Sequence, residues 1–432
     1  MFNPKKSDLN IEMIHYKLMV RMRAGIHYLL EDNRKQIIMT VFVVVSLLIW
    51  CFRGLIWNTP KCPPIGEIGG TLACLVVMII GTVGILVAFG RPFEAEEIDK
   101  KLIRAGFVNA IGESPVLLYK EVLSREEKKY LFVFASHGLP MSLWNQKIDL
   151  VENALNIYIS EIRLKDSKQT IEVYAVDGEF VFPTKICWTD DLLSDEESEM
   201  LIGVSPLGKV TYSLNVYPHM LIGGTTGSGK TVLLKILLHQ CIKKKYDVTI
   251  ADFKGGVDFN ADWSKEALIL MNKQDVILKL EEIISELERR KELFRSRMRK
   301  NIQEFNLYDS GGLQRIIFAC DEIAELLDKS GLSKEEKQEV EKIEKYLSTL
   351  ARQGRAFGIH LFVATQRPDA TILTGQIKNN IDYRVCGRAD NVLSQIILDN
   401  TDAASQIPKD ELGMFLNQNG LLFKSYMLEE RQ

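Results

Sequence analysis

Residues 221–231 read LIGGTTGSGKT, and within them Gly224, Gly229, Lys230 and Thr231 satisfy the spacing G-x-x-x-x-G-K-[ST]. The chemistry of that spacing is the holding of a nucleoside triphosphate. The run Gly224, Thr225, Thr226, Gly227, Ser228 and Gly229 can fold so that its backbone N–H groups face the phosphates. Lys230 then reaches the β- and γ-phosphates, and Thr231 offers a hydroxyl to Mg²⁺. A second set lies in RIIFACDE, residues 315–322, an apolar run that ends in two carboxylates. Asp321 is placed to hold the Mg²⁺ of ATP, and Glu322 to orient and deprotonate the attacking water. A third polar group, Gln366, follows the apolar run Gly358–Ala364 and can touch the γ-phosphate.

These side chains work together only if the elements carrying them share one edge. An apolar strand, His219–Ile222, leads into the glycine-rich loop, and an amphipathic helix, Val232–Cys241, follows it. Further strands are predicted at 248–252, 315–320, 358–364, 383–387 and 420–423, separated by helical stretches. Alternation of this kind predicts an α/β fold with a mostly parallel sheet, a RecA-like P-loop ATPase, whose strand ends present the site.

The remainder of the 432 residues has a different character. Net charge is −3, so no overall positive field draws nucleic acid to the chain, and 46% hydrophobic with 26% charged residues argues against disorder. The 7 cysteines are scattered without a CxxC pair, which favours a reducing compartment over a disulfide framework. Residues 37–52 and 68–89 carry no charge, and the first run continues past Arg53 to Trp57. Both are long enough for membrane-spanning helices, 37–57 and 68–89, a hairpin within 37–90. Lys5, Lys6, Lys17, Arg21, Arg23, Arg34 and Lys35 precede the hairpin, and Arg91, Lys100, Lys101 and Arg104 follow it, against Lys61 alone in the connecting loop. The positive-inside bias therefore predicts a multi-pass protein of the cell membrane with both termini, residues 1–36 and the ATPase in the cytoplasm. Residues 105–205 read as a small α/β adaptor domain, with strands near 117–119, 130–135, 157–162 and 170–176 and one helix over 142–155. The motor domain is expected at 207–432.

Seven basic residues, Arg289, Arg290, Lys291, Arg295, Arg297, Arg299 and Lys300, crowd the end of a long helix starting near Gln274. Their spacing circles the helix, which is the pattern of a solvated face more than of a DNA-binding stripe. Lys243, Lys244 and Lys245 complement the dipole at the end of the P-loop helix.

The order of motifs resembles the FtsK/SpoIIIE family of membrane-anchored DNA translocases. The likeness rests on Leu207-Gly208-Lys209, PHMLI at 218–222, GGTTGSGKT, DFKGG at 252–256, ELERRKELF at 286–294, NIQEFN at 301–306 and HLFVATQRP at 360–368. It implies a homo-hexameric ring that threads DNA with ATP, a neighbouring subunit's active site completed by an arginine, and candidates Arg355 and Arg388 for that arginine. Only nine residues follow Phe423, so no DNA-reading C-terminal domain is expected. The shorter relatives are coupling proteins of conjugative elements in Gram-positive bacteria, which implies a relaxase and mating-channel proteins as partners. The alternatives are a chromosome-segregation motor and the ATPase of a protein-secretion system.

Overall fold

The computed structural model describes residues 33–57, 64–90, 94–366 and 375–429, with parts of 18–30. The chain forms two compact units that divide between Phe180 and Val181. Of the residues used above, Lys5, Lys6, Lys17, Lys61, Arg91, Arg367 and Pro368 lie outside the described set, as does Cys62.

In the first unit, helices Asn33–Trp57 and Pro64–Phe89 enclose the two apolar runs. Each is long and apolar enough to cross a membrane. The ammonium of Lys35, at the start of one, donates to the carbonyl of Phe89, at the end of the other, over 3.5 Å. Ile37, Val41, Val77, Ile79 and Ile80 are exposed; so much uncovered aliphatic surface suits lipid rather than water. Thr40 and Thr82 return their hydroxyls to the carbonyls of Gln36 and Met78, both at 2.8 Å, which satisfies them inside an apolar stretch.

A four-stranded antiparallel sheet follows, of β1 (Val116–Ser124), β2 (Lys129–Ala135), β3 (Ile157–Lys165) and β4 (Thr170–Asp177), ordered β1-β2-β4-β3. The single helix expected over 142–155 is two, Met141–Gln146 and Ile148–Leu155. Lys147 leaves helical geometry (φ −115°, ψ 27°) and its N–H is shared between the carbonyls of Leu143 and Trp144. Leu143, Ile148, Val151 and Leu155 face inward, and the largest buried side chain of the pair is Trp144, edge-on to Phe107 at 4.8 Å.

The second unit is built on a ten-stranded sheet. Its strands are β5 (Glu199–Ser205), β6 (Gly208–Ser213), β7 (Met220–Gly223), β8 (Asp247–Ala251), β9 (Leu268–Leu270), β10 (Ile316–Cys320), β11 (Ile359–Thr365), β12 (Tyr383–Cys386), β13 (Met414–Asn417) and β14 (Leu422–Ser425). The order is β6-β5-β14-β13-β12-β7-β11-β10-β8-β9, parallel from β12 to β9 and antiparallel from β12 to β6. Because β10 and β11 are covered on both faces, all their residues are buried, which is why they read as mostly apolar runs without alternation. The motor begins earlier than 207, since β5 pairs with both β6 and β14 of the large sheet. Strands β5, β6, β9 and β13 are additional to those the sequence indicated; three to seven residues long, they offer little periodicity to read.

At the N-terminal edge of the parallel strands, Arg315 is buried and forms two bonds to Glu197 (2.7 and 2.9 Å), one to Asn215 Oδ1 (2.8 Å) and one to His360 Nε2 (3.0 Å). Since the guanidinium only donates, His360 accepts at Nε2 and gives its Nδ1 proton to Pro218 O, 2.8 Å away. His219 accepts from the Leu361 N–H at 3.0 Å. Burial holds both imidazoles neutral and pushes the pKa of His219 down to about 4.

An unfolded histidine titrates near 6.5, so as pH falls the unfolded chain takes up protons before the folded one. The stabilisation is complete above that value and is lost as pH drops toward 4. At pH 5, His219 alone accounts for about 2 kcal/mol of destabilisation. Thermal unfolding of the full chain should therefore show a midpoint falling from pH 7 to 4.5, with a shallower fall in His219→Gln. An unchanged slope in that variant contradicts the assignment.

Candidate nucleotide site

Strand register decides which groups meet. Gly223 lies opposite Thr365, and Cys320 lies opposite both Ala251 and Val363. The C-terminal ends of β7, β8, β10 and β11 thus share one edge, with β11 reaching two residues beyond the Cys320 level. Residues 224–229, 252–258, 321–322 and 366 all leave from that edge.

The loop after β7 winds into helix Lys230–Lys243. Gly224 has φ +151°, and a Cβ there would meet Ser228 Oγ at 2.4 Å, so only glycine fits. Lys230 is buried; desolvation lowers its pKa, while Glu322 and Asp321 oppose that shift. Thr231 Oγ1 donates to Asp321 Oδ1 at 2.8 Å, joining the two halves predicted from sequence. The second oxygen of Asp321 takes the ammonium of Lys254 at 2.5 Å, and Lys254 also reaches Asp258 at 2.9 Å. Burial works against the charge on Lys254, but the bonds to both aspartates outweigh it and raise its pKa.

Glu322 is buried and its pKa is raised by desolvation, with bonds from Thr365 and Gln366 pulling the other way. Its Oε1 accepts from Thr365 Oγ1 at 2.8 Å and, weakly, from the Ala324 N–H at 3.4 Å, so it also caps the short helix Ile323–Leu327. Its Oε2 accepts from the Gln366 N–H at 3.0 Å. The Gln366 side-chain oxygen in turn accepts from Thr226 Oγ1 at 2.8 Å. One residue therefore touches both the loop and the carboxylate.

The two arginine candidates separate. Arg388 donates to Thr226 O (2.8 Å), Thr225 Oγ1 (3.4 Å) and Lys409 O (2.6 Å), and its own carbonyl accepts from Thr225 N at 2.8 Å. It braces its own loop. Arg355 lies before β11, at the opposite edge, and donates to Asn215 O at 3.1 Å. Neither Arg388 as a brace nor the Lys254–Asp321 tie is visible in the sequence, because the partners stand 162 and 67 residues apart. The basic helix, Lys273–Arg297, is largely self-paired. Arg289 and Arg290 hold Glu286, Lys291 holds Glu288, and Arg295 holds Glu292; Arg290, buried, also donates to the carbonyls of Phe357 and Gln314. Lys243 pairs with Asp190, and Lys244 donates to the carbonyls of Ser194 and Glu196, so both do more than meet the helix dipole.

A ten-stranded, mostly parallel sheet with this loop and this acidic strand end defines a P-loop ATPase fold. The family model of FtsK/SpoIIIE matches residues 202–315. A solved structure of the pCW3 conjugation coupling protein TcpA, in monomer form with ATPγS, is similar over 78% of this chain and 95% of that one, at 33% identity and a TM-score of 0.57. DNA translocase FtsK of Campylobacter jejuni is 32% identical over 210 residues, 46% of this chain and 21% of that protein. DNA translocase FtsK of Staphylococcus epidermidis is 32% identical over 193 residues, 41% of this chain and 23% of that protein. Residues 202–315 carry the FtsK/SpoIIIE domain, and the matched part of the chain spans under a quarter of these two translocases.

With Lys230 in the phosphate-binding role its spacing predicts, Lys230→Ala should abolish both nucleotide binding and turnover. Glu322→Gln keeps the shape and removes the base, so it should bind ATP normally while hydrolysis falls about 10²–10⁴-fold. Near-normal hydrolysis by Glu322→Gln would reassign the catalytic carboxylate.

Proposed function

We propose that the protein is a membrane-anchored, ATP-driven DNA translocase that serves as the coupling protein of a conjugative transfer channel. The observation that carries this reading is the likeness to a conjugation coupling protein across nearly all of that protein's resolved chain. The N-terminal pair of apolar helices supports the anchored arrangement.

The residues at the site fit ATP with Mg²⁺. Ser228 Oγ is buried inside the loop with no hydrogen-bond partner among the described residues, which suits a phosphate-facing hydroxyl. Thr231 and Asp321 present two hard oxygens 2.8 Å apart, the donor type Mg²⁺ takes. When bound, the ion neutralises charge on the β- and γ-phosphates. Lys230 binds the same phosphates from the loop side. Lys254 yields the second oxygen of Asp321 and remains with Asp258. Glu322, with a raised affinity for protons, accepts one from the attacking water. Gln366 links that carboxylate to Thr226, so a shift at either end reaches the other. Arg388 keeps the loop in shape within its own subunit, which leaves Arg355 as the arginine offered to a neighbour in a homo-hexameric ring. DNA is the substrate, and a relaxase and channel proteins are the partners.

Two measurements test this. With full-length protein in lipid nanodiscs, ATPase activity per mole should rise with protein concentration and on adding single-stranded or duplex DNA. A flat response to both concentration and DNA overturns the ring translocase, and stimulation by a protein substrate alone indicates secretion. On whole cells, Cys62 should react with an impermeant thiol reagent. Cys187, exposed on the second unit, should react only after permeabilisation; Cys241 and Cys320 are buried and report nothing. Reaction of Cys187 on intact cells overturns the orientation.

A further inference from the structure

The cavity beside the glycine-rich loop has a volume of about 530 Å³ and extends beyond the loop itself. Its far wall contains no part of the recognised motifs. It is made of Thr184, Lys185 and Ile186, of Leu412, and of Tyr426 and Met427.

Main-chain bonds tie that wall to the loop step by step. The Gly413 N–H donates to Ser228 O (2.9 Å), and the Ser425 N–H donates to Gly413 O (2.8 Å). Two residues on, the Met427 N–H donates to Ile186 O (2.8 Å), and the Trp188 N–H donates to Met427 O (2.9 Å). The approach is close: Gly229 has φ +100°, and a Cβ there would sit 3.0 Å from Gly413 Cα. Beyond Trp188, Asp190 accepts from Trp188 Nε1 (3.2 Å), His239 Nε2 (2.9 Å) and Lys243 Nζ (2.8 Å), the last two on the helix that the loop begins. Residues 184–190 are therefore a strap, sewn at one end to the strand after β14 and at the other to the P-loop helix. They lie a few residues after Phe180, where the first unit ends.

Phosphates lie along 224–231, so the nucleoside must leave past Val232, toward the strap. Beside Thr184 and Lys185 that wall offers apolar side chains: Ile186 packs with Trp188 and Tyr426, and Leu412 is 56% exposed. Such surfaces suit the two faces of a nucleobase, which is flat and apolar above and below its ring. We propose that the strap and Leu412 form the nucleoside-binding wall, so that the base of the bound triphosphate, and not its phosphates, fixes the segment leading from the first unit into the motor. The inference rests on the nucleotide reading of the P-loop and adds to it the residues that read the base.

Inorganic tripolyphosphate and ATP separate the two. With full-length protein in nanodiscs, calorimetry should show Leu412→Ser and Ile186→Asp weakening ATP about tenfold or more while tripolyphosphate changes less than about twofold. Leu412 is exposed, so its variant should fold even if the other does not. ATP, and not tripolyphosphate, should slow alkylation of Cys187 on the strap, read by peptide mass spectrometry. Unchanged ATP affinity in Leu412→Ser, with equal Cys187 reactivity under both ligands, overturns the wall, as does a parallel loss of both ligands in that variant. Lys230→Ala is the control for the underlying reading: it should abolish both ligands, and if it spares both, the P-loop assignment fails instead.

Discussion

Everything at the nucleotide site depends on the parallel register of β7, β11 and β10. Gly223 faces Thr365 while Cys320 faces Val363, so β11 overshoots its neighbour by two residues. That overshoot sets Thr365 against Glu322 and delivers Gln366 to Thr226. A slip of one residue would turn each of these side chains to the opposite face of the sheet. Parallel strands buried on both faces resist such a slip, because every residue of β10 and β11 would lose its packing.

The electrostatics follow from that placement. Two lysines and three carboxylates, Lys230, Lys254, Asp258, Asp321 and Glu322, gather at one end of the sheet. Asp321 is 3% exposed on its side chain and Lys254 is 42% exposed, and the ion pair between them offsets part of the cost of burying the carboxylate. Lys254 supplies the cation of that pair from a mobile-length side chain that can withdraw to Asp258. Among the described residues no cation pairs with Glu322 at bonding distance; hydrogen bonds from Thr365 and Gln366 hold it, and its proton affinity rises with burial. The roles proposed for these carboxylates follow that division, Asp321 toward a metal and Glu322 toward a proton.

Charge counts along the chain mislead where structure has already spent the charge. In the basic helix 273–297, Arg289, Arg290, Lys291 and Arg295 are each paired with a glutamate three or four positions away, and Arg290 serves packing from a buried position. Arg388 is likewise consumed by the loop it touches.

The sequence by itself determined the local features: the glycine-rich loop with its flanking strand and helix, the acidic strand end, the apolar strands of the parallel sheet, and the two long apolar helices. Each is encoded within a dozen or two neighbouring residues, where spacing and side-chain type act directly. Only the tertiary structure decided that β5 belongs to the motor, that residues 142–155 break at Lys147, that Arg388 braces its own subunit, and that Lys254 holds Asp321. It also placed Ile186 and Leu412 around one cavity. Apart from the break at Lys147, which is local, those outcomes come from residues scores of positions apart that chain folding brings together and that no local pattern records.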